Sequence, residues 1–251
     1  MQPPAPVGNW QVVGLQGVHI SSVAISPNFG ADATLFAGSD GSGLFRSTDG
    51  ADSWEQAAPA FANTIVPAVA FSPAFDGDST AFAGMLAGVG AGLLRTVDAG
   101  DTWQQLTTGA VQAIAVSPSF ASDSTVFADF GDGIYRSTDR GVSWEKMSAG
   151  VALSPPAGFP PPPAGQTFSM AMSPEYQADA TIFAGIFGGG PFRSTDGGAT
   201  WEQVRQGMIY AWVLSLAVTP TFGFDSTQCL RERPTASSGH WTAGIRGRIK
   251  G

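Results

Sequence analysis

The chain repeats one nine-residue stretch four times, and its clearest copy is Arg193-Ser194-Thr195-Asp196-Gly197-Gly198-Ala199-Thr200-Trp201. The other copies occupy residues 46–54, 95–103 and 136–144. Each copy lies between two apolar runs, where Asp and Gly are typical of a hairpin turn. The Asp carboxylate can accept hydrogen bonds from backbone N–H groups about two residues on, and Gly adopts positive φ at low cost. The stretch therefore predicts four similar turns, each followed by a strand that begins at Trp.

A second repeated element, [ST]-P-x-[FY]-x-x-D-x-T, alternates with these turns. Its five copies begin at Ser26, Ser72, Ser117, Ser173 and Thr219, so the steps between them are 46, 45, 56 and 46 residues. Apolar segments precede each copy and follow the first four. A period in the forties with about four strands per unit is typical of propeller blades, which bury both faces only by stacking on neighbours.

We therefore predict an all-β fold, namely a β-propeller of four-stranded antiparallel blades that contain hairpins of this kind. Four blades are full, and partial blades lie at both ends. The propeller covers residues 1–227, with blades at about 18–58, 65–107, 110–148 and 167–206, and a partial blade at 212–227. Residues 9–14 match the last strand of a preceding blade. They could complete the last blade and close a five-bladed ring, or the chain could be a fragment of a longer propeller.

The step of 56 residues contains an insertion at 150–165, with Pro155-Pro156 and a proline run at 160–163. Proline-rich segments favour extended polyproline II structure. We interpret this insertion as a solvated spacer between two blades.

The tail at 228–251 departs from the repeat, because no strand pattern or turn stretch follows Thr227. The DNA that encodes this tail can also be read in a shifted frame. In that frame, each codon joins the third base of one original codon to the first two bases of the next, and we choose synonymous codons freely. Gln228 onward then spells V-F-A-G-T-A-(N/D)-G-I-F-R-S-L-D-G-G-(D/N)-S-W, which has the spacing of residues 126–144. The Asp in this reading is compulsory, since the Trp241 codon ends in G and the Thr242 codon begins with AC. We hypothesise an out-of-frame fifth repeat, and Cys229 and His240, which lie in this tail, receive no role.

Composition excludes several classes of protein. Hydrophobic residues make up 43% and charged residues 13% of the 251 residues, with 33 Gly and 18 Pro, which suits many short strands and tight turns. The formal net charge of -8 argues against nucleic-acid or anionic-membrane surfaces. We see no apolar run long enough to span a bilayer and no signal peptide over Met1–Pro6. The single Cys rules out an internal disulfide.

The four turn stretches resemble the Asp-box of BNR-repeat proteins, S-x-D-x-G-x-[ST]-W. That family includes sialidases, other glycoside hydrolases, sortilin-like receptors and photosystem assembly factors. The resemblance implies a β-propeller and favours an exported protein, although localisation stays open. It also implies a ligand site on the propeller face opposite the Asp-boxes, for a protein or a carbohydrate.

The repeated residues are interpreted as structural, because chemistry is rarely replicated blade by blade. They are Asp49, Trp54, Asp98, Trp103, Asp139, Trp144, Asp196 and Trp201. A sialidase would need an arginine cluster, but Arg46, Arg95, Arg136 and Arg193 all belong to the repeat. We predict no metal and no cofactor.

Residues outside the repeat carry the remaining site candidates. Asp129, Asp132 and Asp40 are candidate catalytic carboxylates in loops between strands. The candidate binding residues are the aromatics Phe130, Phe187, Tyr210 and Trp212. Aromatic rings beside carboxylates could stack on sugars or anchor a protein. Alternatively, Phe187 and Trp212 fill the contacts between blades.

Two functions remain open from the sequence. The preferred one is a non-catalytic binding or assembly scaffold. The alternative is a glycoside hydrolase, which would need two non-repeat carboxyl groups roughly 5–10 Å apart. Open blade edges would also favour self-association.

Overall fold

The protein is described here by a computed structural model that covers residues 14–86, 90–147, 149, 151, 167–186, 189–204, 213–220 and 222. Sixteen strands form four antiparallel sheets, each with its strands in chain order. Blade 1 comprises β1 (Ile20–Ile25), β2 (Leu35–Ser39), β3 (Leu44–Ser47) and β4 (Glu55–Gln56). Blade 2 comprises β5 (Ala68–Phe71), β6 (Ala81–Met85), β7 (Gly92–Thr96) and β8 (Gln104–Gln105).

Blades 3 and 4 repeat this arrangement. Blade 3 comprises β9 (Ile114–Val116), β10 (Val126–Asp129), β11 (Ile134–Ser137) and β12 (Glu145–Lys146). Blade 4 comprises β13 (Thr167–Met172), β14 (Ile182–Ile186), β15 (Gly190–Ser194) and β16 (Glu202–Gln203). The predicted all-β fold of four-stranded antiparallel blades with Asp-box hairpins is confirmed.

A one-turn helix connects the first two strands of every blade, where the sequence predicted only a link between strands. The helices are α1 (Phe29–Asp32), α2 (Phe75–Asp78), α3 (Phe120–Asp123) and α4 (Tyr176–Asp179). In blade 2, Ser72 Oγ donates to Asp78 Oδ2 at 2.7 Å, and the Thr80 N–H donates to Asp78 Oδ1 at 2.9 Å. These two bonds explain why Ser, Asp and Thr recur in the second repeated element. A further short segment, Pro59–Phe61, forms a 3-10 helix.

Aromatic side chains join each blade to the next. Phe36 on β2 packs on Phe71 of blade 2, with ring centroids 5.1 Å apart. The corresponding phenylalanines of later blades meet the helix aromatic of the following repeat, in the pairs Phe82–Phe120, Phe127–Tyr176 and Phe183–Phe222. Because Phe36, Phe82 and Phe127 each lie between two sheets, the core is a series of contacts between blades.

Valine side chains fill glycine notches between blades. Val66 packs on Gly38, and Val111 packs on Gly84, where an added Cβ would lie 2.7 Å from the valine Cγ1. Val213 packs on Gly185 in the same way, at 2.6 Å. Val213 and Phe222 thus make with blade 4 the contacts that Val111 and Phe120 of blade 3 make with blade 2.

Several predicted segments lie outside the described residues. These are the strand at 9–13, the insertion at 150–165 apart from Val151, and the tail at 228–251. Among the described residues, no helix is long and apolar enough to cross a bilayer.

Candidate functional site

The Asp-box carboxylate closes its turn through three hydrogen bonds. Asp196 Oδ1 accepts from Ser194 Oγ at 2.7 Å and from the Thr200 N–H at 2.9 Å, and Oδ2 accepts from Thr200 Oγ1 at 2.6 Å. Asp49, Asp98 and Asp139 accept the corresponding set of bonds. The N–H donor lies four residues after the Asp and not about two, because two residues of positive φ lengthen the turn.

These bonds lower the pKa of the Asp-box carboxyls. The donated hydroxyl of Ser53 is the largest cause at Asp49, whose pKa falls to about 2. Asp139 and Asp196 also have a pKa of about 2, and the pKa of Asp98 is lowered in the same way. A carboxylate that already accepts three donors and stays ionised is suited to holding a turn.

The Asp-box tryptophans pack at the contacts between blades. The Trp201 N–H donates to the Met147 carbonyl at the end of blade 3, and the Trp144 N–H donates to Gly141 O at 3.0 Å. Trp54 of blade 1 packs closely on Gly14. Gly14 directly follows the predicted strand at 9–13, so the chain before blade 1 approaches Trp54 as blade 3 approaches Trp201.

The Asp-boxes and the helices lie on one side of the blades. The N–H after each Asp-box Asp donates to the carbonyl that ends the helix of the same blade, as from Gly50 to Ala33 O at 3.0 Å. Connections in an antiparallel sheet alternate between its two ends. The turns between second and third strands, which hold the candidate carboxylates, are therefore on the opposite side.

Asp129 ends β10 and is completely buried, at 0% exposure. Its Oδ2 accepts from the N–H of Thr167, the first residue of β13, at 2.7 Å, and its Oδ1 accepts from the Gly131 N–H. Burial raises the pKa of Asp129 to about 6, against the opposing effect of these bonds. The side chain therefore ties blade 3 to blade 4.

Asp132 lies in the same turn but is exposed. It accepts hydrogen bonds from Lys146 Nζ at 2.8 Å and from the Tyr135 hydroxyl at 3.0 Å. The bond from Lys146 is the largest cause of its lowered pKa. Asp40, the third candidate, is exposed in the equivalent turn of blade 1, and its N–H donates to His19 O at 2.8 Å. The structure thus brings Asp129 and Asp132 into one turn and places Asp40 on another blade.

Among the candidate aromatics, Phe130 is half-buried and packs within its own blade. Its ring meets Tyr135 and Trp144 edge-on, each with centroids 5.0 Å apart. Phe187, Tyr210 and Trp212 lie outside the described residues. Within the part of the chain that the structure describes, no group of three His, Cys, Asp or Glu side chains could hold a metal ion.

Sequence reasoning missed an apolar face on blade 1. Val23 and Ile25 on β1 are 57% and 58% exposed, and Phe29 of α1 is 38% exposed. The corresponding Phe75, Phe120 and Tyr176 are all buried by a preceding blade. Comparison of the repeats could have drawn attention to this face, because blade 1 carries at Val23, Ile25 and Phe29 the apolar pattern of the later blades.

Comparisons with known proteins agree with this architecture. The family model of the BNR/Asp-box repeat matches residues 192–203. No curated protein matches the chain. The GH74 xyloglucanase from Xanthomonas campestris is similar in structure, with a TM-score of 0.61 and 19% identity over 90% of this chain and 38% of its own.

Two further GH74 enzymes show the same fold. An ancestral GH74 enzyme has a TM-score of 0.59 and 21% identity over 81% of this chain and 28% of its own. The enzyme from Niastella koreensis has a TM-score of 0.58 and 19% identity over 78% of this chain and 31% of its own. The present chain therefore spans well under half the length of each. With four Asp-box hairpins on four antiparallel blades, the chain has a β-propeller fold that carries the BNR/Asp-box repeat.

Proposed function

We propose that this chain is a non-catalytic binding or assembly scaffold. The observation that carries the proposal is the state of Asp129. Hydrolysis of a glycoside by a carboxylate pair needs one protonated acid and one ionised partner, both in contact with the sugar. A pKa of about 6 would suit Asp129 to the acid role, but its side chain is 0% exposed and accepts bonds from two backbone N–H groups.

The neighbouring carboxylate is equally unsuited to act as the acid. The pKa of Asp132 is lowered by its bond from Lys146, so it is ionised at neutral pH. Asp40 lies in the turn of a different blade. Among these candidates, no pair combines exposure, proximity and opposite protonation states.

The binding surface of the proposed scaffold is the side opposite the Asp-boxes. That side carries exposed Asp40 and Asp132, together with Lys146, whose side chain is 46% exposed. Exposed charged groups beside the ring of Tyr135 suit a partner surface with polar groups. A protein partner fits the scaffold role, and a carbohydrate is the other outcome that a binding test would distinguish.

A glycoside hydrolase is the second candidate, and similarity to the fold of GH74 enzymes is what favours it. The test is an assay for reducing ends released from xyloglucan and from cello-oligosaccharides. We expect no release above buffer. The enzyme would be established, and the scaffold rejected, if release occurs and is lost in Asp132→Asn or Asp40→Asn. The matched variant Asp76→Asn, on the Asp-box side, should then keep the release.

The binding surface is tested by lysine acetylation. The sequence contains only Lys146 and Lys250, so acetylation of Lys146 reports on the proposed face and Lys250 serves as an internal reference. A captured protein or an added oligosaccharide that binds there should slow acetylation of Lys146 relative to Lys250. A binder that protects neither lysine, yet competes with a probe on the Asp-box side, would place the site on the other face.

A further inference from the structure

The arginine that begins each Asp-box bonds to the next blade. Arg46 Nη1 donates to the Ala99 carbonyl at 2.9 Å, across the contact between blades 1 and 2. Arg95 Nη1 donates to Arg140 O at 2.9 Å, and Arg136 Nη1 donates to Gly197 O at 3.0 Å. Each acceptor is the residue directly after an Asp-box Asp. The arginine of one repeat therefore recognises the Asp-box of the following repeat.

The geometry of the acceptor depends on the Asp-box turn. Ala99, Arg140 and Gly197 have φ values of 59°, 64° and 70°. Positive φ at this position is part of the turn that the Asp carboxylate closes, so the carbonyl is presented only by a formed Asp-box. The guanidinium is held on its own blade by a fourth-strand side chain, namely Glu55, Gln104 or Glu145.

Arg193 is the fourth member of this series. It bonds to Glu202 of its own blade, through Nε at 2.9 Å. Within the described residues, no carbonyl of a following repeat accepts from it, and its side chain is 32% exposed, against 16% for Arg46 and 27% for Arg136. By the pattern of the first three, its acceptor belongs to a fifth Asp-box.

A fifth repeat has already begun on blade 4. Val213 is 2% exposed in the Gly185 notch, and Phe222 packs on Phe183 with ring centroids 5.6 Å apart. The in-frame residues 228–251 contain no Asp-box. With synonymous codons chosen to fit, the shifted reading across codons 228–247 can spell one at the required spacing, and its Asp is compulsory.

We propose that the face of blade 4 formed by Phe183, Gly185 and Arg193 is the docking surface for a fifth Asp-box hairpin encoded out of frame across codons 228–247. The Val-Phe-Ala-Gly of that reading forms the second strand of the fifth blade. The carbonyl of the Gly that follows its Asp accepts from Arg193. This inference concerns the fold of the chain and does not depend on the proposed scaffold function.

The coding DNA gives the first test. Phe and Ala at the second and third positions of the reading require Leu230 to be encoded by TTG and Cys229 by TGT. We expect these codons, and synonymous choices that continue the repeat as far as Trp. Codons that interrupt the repeat pattern in that frame would overturn the out-of-frame origin.

The second test compares the present chain with a restored chain, in which the tail is replaced by the shifted reading. Arg193→Ala is introduced into both chains, and unfolding in urea is measured. Arg193 can bond to a fifth Asp-box only in the restored chain, and its guanidinium is a charged donor. We therefore expect Arg193→Ala to lower the folding equilibrium constant about tenfold more in the restored chain than in the present chain.

Two controls make each outcome decisive. Arg46→Ala removes the bond to Ala99, which both chains contain, so its effect should be the same in both. A chain with a scrambled version of the same tail should behave as the present chain does. Equal effects of Arg193→Ala in the two chains, or a restored chain no more stable than the scrambled one, would overturn the docking of the hairpin.

Discussion

Individual carboxylates in this protein are placed in two opposite environments. Asp-box carboxylates are exposed or half-buried and accept two hydroxyls and a backbone N–H, so their ionised form is favoured. Asp129 accepts two backbone N–H groups yet is fully buried, and the loss of solvent outweighs the bonds. Residues of one type therefore contribute to pH-dependent stability with opposite signs.

We expect the Asp-boxes to make the protein sensitive to strong acid. Their pKa of about 2 in the folded state lies below the ordinary value of 3.8, so their contribution is complete above pH 4 and is lost as the pH falls through 2. Urea unfolding between pH 5 and pH 2 should show this loss. Asp196→Asn should reduce the slope of stability against pH, and an unchanged slope would contradict the assignment.

Asp129 should have the opposite effect. Its folded-state pKa of about 6 lies above the ordinary value of 3.8, so protonation favours the folded state and stability rises as the pH falls from 7 to 4. Asp129→Asn should abolish that rise, because the amide carries no charge at either pH. The matched control is Asp132→Asn, which should keep the rise in urea unfolding experiments.

The Asp-box turn, as an element, is shaped by the blade before it. Gly100 has a φ of 95°, and an added Cβ would lie 2.6 Å from Cζ of Phe36 in blade 1. Gly198 has a φ of 90° and would meet Phe127 of blade 3 at 2.7 Å. Glycine is therefore required both for the backbone conformation and for the approach of a phenylalanine. Blade 1 has Ala51 at this position, with a φ of 82°.

Gly100→Ala should consequently destabilise the protein by about 2–4 kcal/mol, through strain at positive φ together with displacement of Phe36. Gly109→Ala is the matched control, because Gly109 has a φ of 103° but no heavy atom within 4 Å of an added Cβ. The control should show the strain alone, about 1 kcal/mol. Urea unfolding measures both, and equal losses would mean that contact with Phe36 contributes nothing.

The whole molecule exposes the face of blade 1 formed by Val23, Ile25 and Phe29. At the positions that correspond to Val23 and Ile25, Met170 and Phe71 are each only 9% exposed. An apolar sheet face of this kind is normally covered by a neighbouring blade or by another molecule. Its exposure in the described structure is the physical basis for the expected self-association.

We expect the chain to self-associate in a concentration-dependent manner through this face. The double variant Val23→Asp and Ile25→Asp should shift the population toward monomer, because burying two carboxylates without partners is costly. Sedimentation velocity over a range of concentrations measures the shift. Val142→Asp, at a position that is 68% exposed on an Asp-box turn, should leave the association unchanged. If the double variant self-associates as strongly as the unchanged chain, the face is not used in self-association.

Much of this fold follows from repeated residues, but the site does not. Asp196 and Trp201 recur at fixed spacing, so their turn and strand could be assigned from the sequence alone. The helix at Phe75 was missed, because a one-turn helix has no apolar period of its own and depends on the bonds of Ser72 and Asp78. The burial of Asp129 was also missed, since its partner Thr167 is 38 residues away.

The sequence by itself determined the repeat, the four Asp-box hairpins and the side of each blade on which they lie. Turn chemistry and strand alternation act over a few residues, so they are visible in a linear pattern. Only the tertiary structure decided which carboxylates are exposed, which arginine meets which Asp-box, and which blade face is left open. Those properties depend on contacts between blades, where the residues that meet belong to different repeats and lie far apart in the sequence.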